Sequence, residues 1–167
     1  DNRLRNDDLD LIDPANGERV TGTADKAARW ERALRDTLTA LESWGIATVV
    51  VHPVPRFPDW PDPDLCSPLS ILIDEALCGT DRATSAARSD AQVAIDAEAA
   101  AAAGVSSVRL LDLWGELCPT DRCSTYRDGS WWFMDRSHIT VFASEQLTVP
   151  LSAAMAGSMA DRVGGGG

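Results

Sequence analysis

Two short apolar-rich runs constrain this chain more than anything else in it: the β-branched residues 46–51 (Ile-Ala-Thr-Val-Val-Val) and residues 108–113 (Val-Arg-Leu-Leu-Asp-Leu). Short runs of this kind, without polar alternation, predict strands buried on both faces, as in a parallel sheet. Helical patterns surround them. From Ala27 the positions Trp30, Ala33, Leu34, Leu38 and Leu41 recur at helical spacing, with Thr23 or Asp25 as the cap and Gly45 at the C-terminal end. A short helix is expected within 67–77, an alanine-rich one over 83–103 closed by Gly104, and a last one over 140–155 that Pro150 kinks or ends. Strands alternating with helices predict a parallel α/β fold, whose ligands bind beyond the carboxyl ends of the strands. The proline-rich loop 52–63, the cysteine-bearing loop after Leu113 and the segment around Asp135 and His138 all leave from those ends. Residues 1–20, polar and broken by Pro14 and Gly17, read as loop.

A chain of 167 residues suffices for one domain, assigned to 1–163, with 164–167 set aside as a glycine linker. The net charge is −11, Lys26 is the only lysine, and the arginines form no basic stripe, which argues against nucleic acid and against an anionic membrane surface as partners. No apolar run reaches the ~18 residues of a membrane span, and no charged leader precedes an apolar stretch, so an export signal would lie outside these residues.

The four cysteines form two local pairs in Pro- and Asp-rich loops. Of the three possible pairings, Cys66 with Cys78 and Cys118 with Cys123 close the shortest loops. The spacings are too long for paired zinc ligands and the histidines are remote, so no metal site is expected. Disulfides imply an oxidising, extracytoplasmic compartment; four free thiols are the alternative.

Histidine occurs twice, at 52 and 138. His138 follows Asp135 by three residues and precedes a helix pattern, so a bend there brings the carboxylate to one ring nitrogen. The carboxylate would fix the tautomer and stabilise the imidazolium formed when His138 takes a proton from a hydroxyl. By spacing alone, an aspartate capping the helix and a surface histidine explain the same residues.

The surroundings decide between these readings. Cys118-Pro-Thr-Asp-Arg-Cys123, then Asp128-Gly129, then Asp135-Arg-Ser-His138-Ile-Thr before a helix opening Val-Phe-Ala-Ser-Glu, resembles the last block of the SGNH (GDSL-type) hydrolase family. More narrowly, it resembles the SGNH domains fused to membrane acyltransferases that O-acylate cell-envelope glycans or lipids. The Trp30 helix followed by Val-Val-Val-His-Pro-Val-Pro is similar to the middle of those domains, and the resemblance spans roughly 24–157. It implies a three-layer, flavodoxin-like α/β fold with a parallel sheet, here lacking its N-terminal strand or strands. It also implies a Ser-His-Asp esterase or O-acyltransferase moving a short acyl group, such as acetyl, with no cofactor. Partners would be an acyl donor delivered by a fused or associated membrane acyltransferase and an envelope carbohydrate or lipid acceptor. The protein would be extracytoplasmic and tethered to the membrane.

The family's nucleophile, a serine in Gly-Asp-Ser, is missing among the thirteen serines. Ser130 reads as part of a turn, and Ser67 and Ser70 as structural residues of the cysteine loop. The serine is therefore expected in a preceding segment or another chain, or the protein is a non-catalytic relative that binds an envelope ligand. Asn2 corresponds by position to the family's oxyanion-hole asparagine. Trp131 and Trp132 are candidate substrate platforms, as is Trp60, and His52 is a candidate pocket residue. Trp30, Trp44 and Trp114 are expected in the core. The acidic pairs Asp7-Asp8 and Asp62/Asp64 are read as solvated loop charge.

Overall fold

A computed structural model describes residues 11–13, 16–57, 66–74, 78–88 and 91–164. They fall into two compact units, each assembled from separated stretches of chain. One comprises the described parts of Asp1–Pro53 and Ala154–Gly167 with Gln92–Leu111; the other comprises Val54–Ala91 and Asp112–Ala153.

The first unit opens with a feature the sequence did not announce. Strands β1 (Leu11–Ile12) and β2 (Arg19–Val20) pair antiparallel within the stretch read as loop. Gly17, at φ +72, and the bonds Gly17 N–H to Asp13 O (2.7 Å) and Asp13 N–H to Glu18 O (2.8 Å) close the hairpin. Helix α1 (Thr23–Ser43) follows. Its N-cap is Gly22, with no side-chain cap, rather than the expected Thr23 or Asp25, which lie inside the helix. Its C-terminus is as expected. Gly45 at φ +70 donates to Glu42 O (2.8 Å), and Ile46 donates to Leu41 O (2.9 Å). This crossed pair satisfies the last carbonyls of the helix.

That turn delivers the chain into β3 (Thr48–Val51), which pairs parallel with β5 (Val108–Leu111) in the register Thr48↔Val108 to Val51↔Leu111. The fold is thus mixed α/β with a parallel pair, as expected. Burial on both faces is not observed: these strands are half-buried, and Val51 is 41% exposed. Among the described residues each pairs with only one other strand and so keeps one edge unpaired there. Glu42 ties α1 to the turn before β5, accepting from Ser106 N–H (2.8 Å) and Oγ–H (2.7 Å). The hydroxyl and backbone bonds of Ser106 hold its carboxyl below the usual range.

The alanine-rich stretch is two helices, α3 (Arg82–Arg88) and α4 (Ala91–Ala102), not one. The last helix also divides. Helix α6 (Val141–Gln146) ends at Leu147 and α7 (Thr148–Gly164) begins just before Pro150. Proline is tolerated there because a first-turn N–H has no intrahelical partner. Helix α7 runs beyond the expected Met155 and takes in Gly164 of the supposed tail; residues 165–167 lie outside the described residues.

In the second unit, α2 (Pro68–Ile73) opens on a proline between the first two cysteines, as expected. Strands β4 (Gly79–Asp81) and β6 (Arg122–Ser124) pair antiparallel, so the cysteine loop is partly sheet rather than all loop. Disulfides Cys66–Cys78 and Cys118–Cys123 flank this pair, and all four cysteines are buried. Thr125, fully buried, donates through both N–H and Oγ1–H to Cys78 O. Gly79 is required by close approach: a Cβ there would lie 1.9 Å from the Cys123 carbonyl oxygen. Gly79→Ala is expected to destabilise the protein by about 1–3 kcal/mol, the usual cost of overpacking, and a denaturant melt with an unchanged midpoint would contradict it.

Strands β7 (Tyr126–Arg127) and β8 (Ser130–Trp131) form a hairpin across Asp128 (φ 54) and Gly129 (φ 77). Both central residues are left-handed, as a twist-matched two-residue hairpin demands. Of the tryptophans expected in the core, Trp114, in α5 (Trp114–Leu117), is buried, whereas Trp30 and Trp44 are 45% and 71% exposed. Trp44 is the C-cap of α1, a position beyond the helical stripe that packs inward.

Candidate active site

The segment from Phe133 to Ile139 is a tight loop closed at its base by an antiparallel bridge between those two residues. Met134 N–H donates to His138 O (2.9 Å), and Thr140 N–H donates to Trp132 O (3.0 Å). Thr140 also fixes the exit. Its hydroxyl donates to Trp131 O (2.7 Å) and accepts the Ala143 N–H (3.1 Å), so it is the N-cap of α6. From the proline-rich loop, Phe57 stacks edge-on against Phe133 (4.7 Å between ring centres), and its N–H donates to Arg136 O (2.9 Å). That loop is itself anchored where Ser85 Oγ accepts from Arg56 N–H (2.9 Å) and donates to Arg56 O (2.7 Å).

Within this frame Asp135 uses its two oxygens differently. Oδ1 accepts the N–H groups of Ser137 and His138, both at 2.8 Å, and so holds the loop's own backbone. Oδ2 lies 2.6 Å from His138 Nδ1. Desolvation pushes the Asp135 carboxyl up, but the Ser137 N–H, the His138 ring, the His138 N–H and the attraction of His138 together bring it below its ordinary value of 3.8. A carboxyl depressed on folding adds stability that is complete above the unfolded value and lost as pH falls through the lower native one. Carbon-detected NMR is therefore expected to place the Asp135 midpoint below 3.8; a midpoint at or above it would contradict this geometry. With Nδ1 engaged, Nε2 is the nitrogen left to take a proton, and the His138 side chain is 72% exposed.

The other candidate residues have partners of their own. His52 continues the ladder beyond β3, its N–H donating to Leu111 O (2.9 Å), and its buried ring meets Glu98 of α4, Nδ1 to Oε2, at 2.6 Å. Sequence reasoning missed Glu98, the one acid in the apolar end of the alanine-rich helix; that isolation was the available signal. Trp131 is half-buried and packs edge-on with Tyr126. Trp132 is 7% exposed, with the Arg127 guanidinium 3.6 Å from its ring centre and Phe142 against its edge. Arg127 is fixed in that position by the Glu116 carbonyl (3.0 Å). Asn2, Trp60, Asp7, Asp8, Asp62 and Asp64 lie outside the described residues.

Ser130 belongs to β8 and Ser67 is exposed; among the described residues no hydroxyl is hydrogen-bonded to His138 Nε2. Among the same residues no group of His, Cys, Asp and Glu is placed to hold a metal ion, and no helix is long and apolar enough to cross a membrane.

A histidine oriented by a carboxylate is the arrangement that serine hydrolases use for acid–base catalysis. In comparison with known families, the model described as "SGNH domain (fused to AT3 domains)" matches residues 3–151. The chain belongs to this SGNH-domain family, and the match reaches further toward the N-terminus than the resemblance noted above. No curated protein and no solved structure matches the chain. Membership supports an acyltransferase- or esterase-type role and a fused acyltransferase partner. The two disulfides fit an extracytoplasmic domain.

Proposed function

We propose that this chain is the acid–base part of an extracytoplasmic O-acyltransferase or esterase that moves a short acyl group, such as acetyl, on a cell-envelope carbohydrate or lipid. The observation that carries this reading is the 2.6 Å contact between Asp135 Oδ2 and His138 Nδ1 on a loop braced at both ends. His138 Nε2 takes the proton of a serine hydroxyl as its oxygen attacks the acyl carbonyl. It then returns that proton to the departing oxygen or sulfur of the donor, leaving an acyl-serine. The acceptor hydroxyl next gives its proton to Nε2 while attacking the ester, and His138 restores the serine hydroxyl. Asp135 holds Nδ1–H throughout and offsets the imidazolium charge.

The serine is assigned to a part of the full-length protein outside these 167 residues, because no described hydroxyl engages His138 and no Gly-Asp-Ser occurs here. The acyl donor would come from the fused acyltransferase domain, which also tethers the protein to the membrane. A fluorophosphonate probe on the full-length protein is expected to label one serine, with labelling dependent on His138. Absence of labelling in a folded, full-length protein favours the other reading, a non-catalytic domain that binds an envelope ligand.

A further inference from the structure

A cavity of about 350 Å³ lies at the first turns of α1, within the size range of small-molecule sites. Arg19 of β2 and Arg29 and Arg32 of α1 line it, together with Glu18 and Asp25. In a chain with 26 acidic and 15 basic residues, this lining sets three arginines against two carboxylates, a local excess of basic side chains. Arg29 and Arg32 stand three apart on the helix and share a face.

Their hydrogen bonding is incomplete. Asp13 pairs with Arg29 Nη1 and so orients that guanidinium, but Arg29 Nε is buried with no hydrogen-bond partner. A buried donor left unmade is costly, and a ligand acceptor would satisfy it. Arg32 is exposed, and its side chain has no hydrogen bond or ion pair to any described residue. Guanidinium forks match the oxygens of a carboxylate or phosphate. Glu18 and Asp25 add the acceptors that sugar hydroxyls require and disfavour a bare anion.

Helix α1 leads through the Gly45 turn into β3. In the usual α/β arrangement a helix feeding a parallel strand runs antiparallel to it, which would put the first turns of α1 toward the carboxyl ends of β3 and β5, the edge where such sheets bind ligands. The geometry points to a binding site for an anionic saccharide, a uronate or a sugar phosphate, held by Arg29, Arg32 and Arg19. Binding itself is independent of the acyl-transfer reading. Only the further step, that the acceptor of the acyl group is acidic, rests on it.

Calorimetric titration of the chain with glucuronate, glucose 6-phosphate, inorganic phosphate and glucose tests the site. Saturable binding of glucuronate or glucose 6-phosphate, with none for glucose, is expected, and which of the two binds identifies the anion. Arg32→Gln, which breaks no contact among the described residues, is expected to weaken binding at least about tenfold with an unchanged melting temperature. His138→Ala is expected to bind as the parent does, so loss of acyl transfer and loss of binding are separable. No saturation by any ligand, inorganic phosphate binding as tightly as glucose 6-phosphate, or affinity untouched by both Arg32→Gln and Arg29→Gln overturns the proposal.

Discussion

His138→Ala in the full-length protein is expected to lower acyl transfer by roughly 10⁴–10⁶-fold, the range seen when the orienting carboxylate or the base of a serine triad is lost. The His138 side chain is 72% exposed and its ring bonds only Asp135 among the described residues. Its removal should therefore leave the melting temperature within about a degree, consistent with surface substitutions costing about 0.5 kcal/mol or less. Asp135→Asn differs. Activity should fall comparably, because the amide no longer selects the tautomer with Nδ1 protonated. Stability should fall modestly, because an amide Oδ1 still accepts the backbone N–H groups of Ser137 and His138 but without the charge that strengthens those bonds. Kinetics and thermal melts on the two variants check this split. Parent-like acyl transfer by His138→Ala would end the catalytic reading.

Reduction of the disulfides is the second large effect. The cross-links close loops with sequence separations of 12 and 5. In the chain-entropy account these contribute about 3 and about 2 kcal/mol. Together they are comparable with the whole stability of a marginal domain, about 5 kcal/mol. For a chain of this size that predicts a fall in Tm of roughly 10–20 °C on reduction. The effect should centre on β4 and β6, because Cys78 and Cys123 sit beside and within that pair and Thr125 hangs from the Cys78 carbonyl. Thermal melts with and without reductant test it. Alkylation of four thiols in the unreduced protein would contradict the pairing and remove its support for an extracytoplasmic setting.

How much of this was legible in the sequence depended on whether the signal was local. The two short apolar runs gave the parallel pair, Gly45 gave the end of α1, and Asp128-Gly129 gave the β7–β8 turn, each through chemistry contained in a few neighbouring residues. The β1–β2 hairpin was missed because two-residue strands carry no period to detect. Trp30 and Trp44 were misplaced because an aromatic residue on a helix reports its period but not which neighbours cover it. In the site, Asp135 and His138 were found because they are three residues apart. Glu98, 46 residues from His52, and Arg19, set against Arg29 and Arg32 by a hairpin, depend on tertiary structure. No spacing rule reaches them.

The division of labour between the two oxygens of Asp135 has a diagnostic consequence. Oδ1 serves the loop's backbone whether or not any substrate is turned over, and Oδ2 alone serves the imidazole. A relative that had abandoned catalysis would still gain from an aspartate at this position, because its loop would still need two amide protons held. It would gain nothing comparable from an exposed imidazole three residues later. Among sequences carrying this loop, the histidine is therefore the informative character, and a protein keeping the aspartate but not the histidine is better sorted with binders than with enzymes.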